Sequence, residues 1–337
     1  MGRRKQPAQR HAISRENAVN LIIGKIQKRL NKKSYICMYP NCTKTAIQSH
    51  SQQKEGQLRT IAKEGKVYTL LRNQYRALKT SSADSLPQLH KIGISEASSF
   101  PGFCSNHDRI IFQEIDTKAL GQNNEKQSFL LFLRSFCYEC SQKRKQFDYY
   151  SQLIEQTSNI IPEENIYPLE AWLAGLKLFL ERDAPSYLER LFPCYDNDDY
   201  SSISNNWTIL EGNVKASCSC IFSPLLDKHQ SYMRSNIYRP QPAMSFNLVP
   251  EKSRTHIIVS WLQEHTDLTA WVHQYLVSNG KLEEFVNMAA FGESEDTCLN
   301  PDLWETASEN LKREVQYAMQ HNDFRGPLER TPILIKL

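Results

Sequence analysis

Apolar residues near the start of the chain recur at intervals of three and four. Ala18, Val19, Ile22, Ile23, Ile26 and Leu30 share one face, and Lys25, Lys28 and Arg29 lie opposite. That period predicts an amphipathic helix running to about Leu30, with Ser14 as its N-cap. A short helix is expected over 57–65, ended by Gly65, and KVYTLL (66–71) reads as a strand. Residues 78–99 are rich in serine and read as an inserted loop. A helix starts within 108–116, and a long one is expected over 126–156. On the long helix, Phe129, Leu130, Phe132, Leu133, Phe136, Cys137 and Cys140 form one broad face, and Pro162 follows as a breaker. Helices over 169–181 and 186–191 complete a helical middle.

The period then changes. NWTILEG, VKASCSCIF, MSFNLVP and THIIVSWL alternate or run apolar as strands do, with Pro224, Pro240, Pro242 and Pro250 between them. Helices are expected over 268–277, 282–290 and 302–321, with TPILIKL as a final strand. The fold class predicted is α+β: an N-terminal cysteine-bearing module, a helical middle, and a small C-terminal sheet with helices. The segments expected are a basic arm and helix (1–33), a cysteine-bearing module with an inserted loop (34–125), helices (126–195) and an α+β domain (196–337).

Charge adds an asymmetry to this picture. The net charge is +4, but residues 1–33 carry ten Lys or Arg against Glu16 alone. The arm is therefore +9 and the remainder −5. A basic arm on a mildly acidic body suits an anionic partner, nucleic acid first, or serves as a solubilising terminus. The C-terminal domain is the candidate surface for a protein partner. The opening MGRRKQ has no apolar signal segment, and no apolar run is long enough to span a membrane. Nine cysteines without a dense extracellular spacing suit a reducing, cytoplasmic setting, where metal binding is favoured over disulfides.

The chemistry concentrates between Tyr35 and Phe112. Cys37 and Cys42 flank a Pro40–Asn41 turn, and Cys104 and His107 stand just before an apolar run. Two close pairs of soft or borderline donors are what tetrahedral zinc takes. The 61 residues between the pairs are tolerable, because loop-closure entropy grows slowly with length. A ligand pair at a helix start also gains from the helix N-terminus, which favours thiolate. The alternative is four ordinary buried residues. His50, framed by Ser49 and Ser51, either performs acid–base chemistry beside this site or only bonds a carbonyl and orients its neighbours.

Knuckle, hairpin and helix together describe a treble-clef finger, and CxYPxC, SHS and FCxxHD resemble the zinc-bearing HNH, or His-Me finger, nucleases. The same motifs resemble a set of bacterial proteins of unassigned function. The resemblance covers about 80 residues. It implies that TAIQSH is the strand carrying a general base, His50, that activates water against a phosphodiester. It also implies that Asp108 helps hold a magnesium or manganese ion at the leaving oxygen. This chain has Ser49 where the family usually has Asp, and its second ligand pair ends in His107 rather than Cys.

Other candidates carry weaker signals. Cys137 and Cys140 form a CxxC on the apolar face of the long helix, and Cys218 and Cys220 alternate on a strand. These four are either core residues or a second metal site. Arg134 and Glu139 are either a buried pair or a solvent-facing one, and His256 and His265 flank the IIVSW strand. No P-loop, GxGxxG, GxSxG or HExxH occurs. That argues against a nucleotide-driven motor, a dehydrogenase and the commonest hydrolases. Two functions remain: an HNH-like endonuclease, and a zinc-stabilised protein that binds nucleic acid or a protein partner without catalysis.

Overall fold

The computed structural model describes residues 15–71, 86–224, 238–278, 280–321 and 331–337. In chain order the first elements are α1 (Arg15–Leu30), β1 (Gln48–His50), and a π turn, Lys54–Leu58, that runs into α2 (Arg59–Ile61). Then come β2 (Lys66–Leu70), β3 (Leu89–Gly93), β4 (Ser99–Pro101), α3 (Ser105–Thr117), α4 (Glu125–Thr157), α5 (Glu163–Leu178) and α6 (Ala184–Asp196). Four long strands follow: β5 (Ile203–Glu211), β6 (Ala216–Phe222), β7 (Met244–Pro250) and β8 (Arg254–Leu262). The chain closes with α7 (Thr266–Val272), α8 (Leu282–Met288), β9 (Thr297–Leu299), α9 (Pro301–Glu305) and α10 (Glu309–His321). No helix among the described residues is long and apolar enough to cross a membrane.

The chain divides into two compact units, one of 1–33 with 144–177 and one of 34–143 with 178–337. This division crosses the four segments expected from the pattern, because α4 contributes to both units. In the smaller unit Ile26, Leu153, Ile166 and Leu169 are buried. Arg29 Nη1 donates to Gln152 Oε1 at 2.9 Å, and Lys33 pairs with Asp148.

The larger unit is built on a seven-stranded sheet, ordered β3-β2-β9-β6-β7-β8-β5 and antiparallel at every pairing. The expected small C-terminal sheet is therefore incomplete without β2 and β3. These come from the cysteine-bearing segment and join through the pairing of Tyr68 with Leu299. Both faces of the sheet are covered. Cys218, Cys220, Phe246, Leu248, Ile257 and Val259 face one core, shared with Trp271, Phe285 and Val315 of α7, α8 and α10. Alternate residues, including Ile221, Val249, Ile258 and Trp207, face a second core with α3, α4 and α6. The period of two along each strand assigns successive side chains to opposite cores.

Helix α4 is more deeply placed than its pattern predicts. Phe129–Tyr138 are buried without a break, so the helix has no solvent face there. Two polar members of that run, Arg134 and Ser135, are bonded inside. Arg134 gives two 2.9 Å hydrogen bonds from Nη2 to the Asp116 carboxylate, and its guanidinium lies 4.2 Å from the Phe112 ring centre. Glu139 instead pairs with Lys143 at 3.1 Å, so Arg134 and Glu139 do not pair with each other. Ser135 Oγ lies 2.8 Å from Ser219 Oγ and donates to Asn247 Oδ1 at 3.2 Å, which makes a polar seam between α4 and the sheet.

Several expected elements change. β3 and the first residue of β4 lie in the stretch read as a loop, whose residues up to 85 fall outside the described residues, as do Ser14 and the basic residues before it. The helix expected over 302–321 is two, α9 and α10. α9 begins where the Asn300 side chain accepts the Asp302 N–H at 2.9 Å. TPILIKL is not a strand. The Leu334 and Ile335 N–H groups donate to Asn287 Oδ1, and Asn287 Nδ2 donates to the Ile335 carbonyl. One buried amide side chain thus supplies what a strand ladder would have supplied.

Two predictions follow from this packing. Phe246 is fully buried and meets Phe285 edge-on at 5.7 Å. Phe246→Ala should lower unfolding free energy by about 3–5 kcal/mol, read from urea denaturation. His256 and His265 are held below the ordinary 6.5 chiefly by burial. With the folded-state value depressed, the unfolded chain takes the proton first. Stability present above the ordinary value is therefore lost as pH falls below it. The urea midpoint should drop between about pH 7 and 5, and part of that drop should vanish in His265→Gln.

Candidate metal centre

The centre begins with a reversal of the chain. The Cys37 N–H donates to the Lys44 carbonyl at 2.9 Å and the Cys42 N–H to the Tyr39 carbonyl at 3.1 Å. Asn41, between the two cysteines, has a φ of 59°, in the left-handed region that asparagine tolerates better than most residues. Two further hydrogen bonds fasten this knuckle to the approach of the second pair. The Met38 N–H meets the Gly102 carbonyl and the Ile47 N–H meets the Phe103 carbonyl, at 2.9 and 2.7 Å. Gly102 is required there, since a Cβ would stand 2.5 Å from the Phe100 ring. β1 pairs antiparallel with β4, and α3 starts one residue after Cys104.

This folding brings Cys37, Cys42, Cys104 and His107 together, with one donor atom of each within 4.8 Å of all the others. Cys37 Sγ lies 3.3 Å from His107 Nδ1, Cys104 Sγ lies 3.5 Å from the same nitrogen, and Cys42 Sγ lies 4.0 Å from Cys104 Sγ. A tetrahedral ion with bonds of about 2.0–2.3 Å needs donor separations of about 3.4–3.8 Å. The geometry and the three-sulfur, one-nitrogen donor set therefore fit a bound metal ion.

Electrostatics divides the sulfurs. Burial pushes the Cys37 thiol up to about 11. Cys104 is lowered, chiefly by the His107 backbone N–H at the start of α3. A metal ion supplies the positive charge that both thiolates need inside the protein. The His107 ring is backed by Tyr39, with ring centres 4.1 Å apart. Tyr39 donates its hydroxyl to Asp196 at 2.7 Å, and that bond, with burial, pushes the phenol up to about 12.

His50 and Asp108 lie outside the four-residue group. His50 ends β1, half-buried, with Nδ1 3.0 Å from the Ala97 carbonyl and 3.5 Å from Ser98 Oγ. Ser49 is buried, and its hydroxyl accepts the Phe103 N–H at 3.3 Å. Ser51 donates to the Ser98 carbonyl at 3.0 Å and to the buried Asp296 carboxylate, while Gln52 donates to the Asp296 carbonyl. Asp108 is half-buried in the first turn of α3. Asp296 gave no sequence signal, because it reaches β1 across 245 residues.

The other candidates are structural. Cys137 and Cys140 belong to the core under α4, whereas Cys218 and Cys220 face the opposite core. Among the described residues these four form no metal-binding group. All nine cysteines are free of disulfides. His256 accepts the Trp207 indole N–H at 2.8 Å, and His265 Nε2 lies 3.1 Å from the Tyr187 hydroxyl. Comparison with protein-family models, characterised proteins and solved structures finds no match to this chain.

Elemental analysis of the purified chain should find a single tightly held metal ion, absent from Cys104→Ala. Its removal by a chelator should destabilise the knuckle by several kcal/mol, seen as a fall in thermal midpoint and faster proteolysis around residue 40.

Proposed function

We propose that the chain is a zinc protein whose treble-clef module, related to the HNH nucleases, hydrolyses phosphodiester bonds of nucleic acid. In this reading Cys37, Cys42, Cys104 and His107 hold a structural zinc ion, and the π turn and β2–β3 are an insertion between the two ribbon strands. The observation that carries it is the four-donor group beside the β1–β4 ribbon that bears His50. The His50 bond to the Ala97 carbonyl is also the contact of a structural histidine, and it fixes the tautomer. A carbonyl only accepts, so the contact with Ala97 makes Nδ1 the protonated nitrogen. Nε2 of the neutral ring is then the basic atom, as removal of a proton from water requires. His50 is the general base of this proposal. Asp108, in the first turn of α3, is the carboxylate for a magnesium or manganese ion at the leaving oxygen. Ser49 takes no part, because its hydroxyl is committed to the Phe103 N–H. The basic arm supplies phosphate attraction without sequence preference.

That same commitment of Ser49 favours a second reading, a zinc-stabilised protein that binds nucleic acid or a protein partner and does not cut. The two separate in one assay. Plasmid and RNA cleavage with added magnesium or manganese should occur with the native chain. His50→Ala should lose about 10²–10⁴ of the rate while keeping its metal and its thermal midpoint. A His50→Ala protein that cuts at the native rate would remove the base assignment. Absence of cutting by both proteins, with salt-dependent binding retained, would favour the binding reading.

A further inference from the structure

The larger unit contains a cleft of about 200 Å³ that neither the metal centre nor His50 uses. Its walls are the π turn with α2, the end of α3 and the segment after it, the buried stretch of α4, and the turn between β7 and β8. Part of the lining is apolar: Ile115, Leu120, Leu131, Val249 and Pro250. The polar part is dominated by Arg134, Lys118 and Lys252, with Gln53 and Gln57 beside them.

Arg134 is the unusual member, because a guanidinium 4 % exposed normally spends all its donors inside the protein. Asp116 engages only Nη2, and the buried Nε–H has no hydrogen-bond partner. A planar cation in the wall of a cleft, with Asp116 bonded only to Nη2, is suited to an oxyanion. Lys252, exposed on the β7–β8 turn, adds charge at the rim.

Two carboxylates also line the cleft, and each is already held. Glu55 pairs with Arg59 and Lys54, and Glu251 pairs with Arg254 at 2.7 Å. Lys118 pairs with Glu114 at 2.7 Å. Counting the lining groups with the partners just behind them, six cations stand against four carboxylates. The surplus is positive in an otherwise mildly acidic body.

We infer that this cleft binds a small ligand with one phosphate or carboxylate head and a short apolar part, the head on Arg134 and Lys252 and the apolar part against Leu120, Leu131 and Val249. The volume lies below the ~300–1,000 Å³ of sites for drug-sized molecules, so the ligand is small. The site is separate from the proposed nuclease chemistry. His50→Ala should bind the same probes as the native chain, whether or not the native chain cuts nucleic acid.

The test is calorimetric titration of the full chain with inorganic phosphate and, separately, with butyrate, against sodium chloride at matched ionic strength. The native chain should bind at least one probe saturably. Lys252→Glu should weaken that binding about tenfold or more while leaving the ligand-free thermal midpoint unchanged. Arg134→Lys, which keeps the charge but loses the planar donors, should weaken it further. Tighter binding of phosphate would assign the site to phosphate esters, and tighter binding of butyrate to carboxylates. Absence of saturable binding of either probe, or binding unaffected by both substitutions, would overturn the inference.

Discussion

Three sulfurs and an imidazole nitrogen converge at residues 37, 42, 104 and 107, and most of what is distinctive in this molecule follows from that crowding. Thiolates 4.0 Å apart repel, and thiols buried there lose hydration without gaining strong hydrogen bonds. A cation at the centre would remove both costs at once. It would also fix a chain reversal to a helix start, and the short β1–β4 ribbon is stretched between those two points. Three residue pairs make a weak ribbon by themselves. The metal donors at one end and the Ser51–Asp296 contact at the other are what hold it.

The second constraint is the burial of α4. A helix sunk between other layers must be apolar all round or must find partners for each polar group. This one does both. Its aromatic and aliphatic residues fill the core beneath the sheet, while Ser135 joins Ser219 and Asn247, and Arg134 joins Asp116. Paired buried polar groups add little net stability, but leaving one partner alone is costly, so such contacts specify which face of the helix meets which strand. Arg134 thus has two consequences: it ties α3 to α4 through Asp116, and its guanidinium stands in the wall of the cleft.

Position along the chain is a poor guide to position in this fold. The sheet interleaves segments far apart in sequence, with β2 next to β9 and β9 next to β6. Residues 51–98 therefore serve two structures. The strands flanking them, β1 and β4, form the ribbon, and in between they supply the edge strand β3 and its neighbour β2 to the large sheet. The C-terminal half, which shows no chemical motif, reaches the ribbon through Asp296.

By itself the sequence determined the local features. Period three to four gave α1, α3 and the length of α4, and period two gave β2 and β5–β8. These patterns are legible because each residue's burial depends on its own helix or strand face. The four metal donors were also legible, since close pairs of Cys and His have few alternative uses in a chain of this composition. Only the tertiary structure decided what depends on contacts between distant segments. It decided that residues 129–138 of α4 are buried on every side, that β3, β4 and β9 pair despite their short and weakly apolar sequences, and that TPILIKL is held by Asn287 instead of a ladder. It also decided that Cys137 and Cys140 face away from Cys218 and Cys220, and that Ser49 is turned inward. Strand pairing and side-chain partners are chosen by the whole fold, so no local period records them.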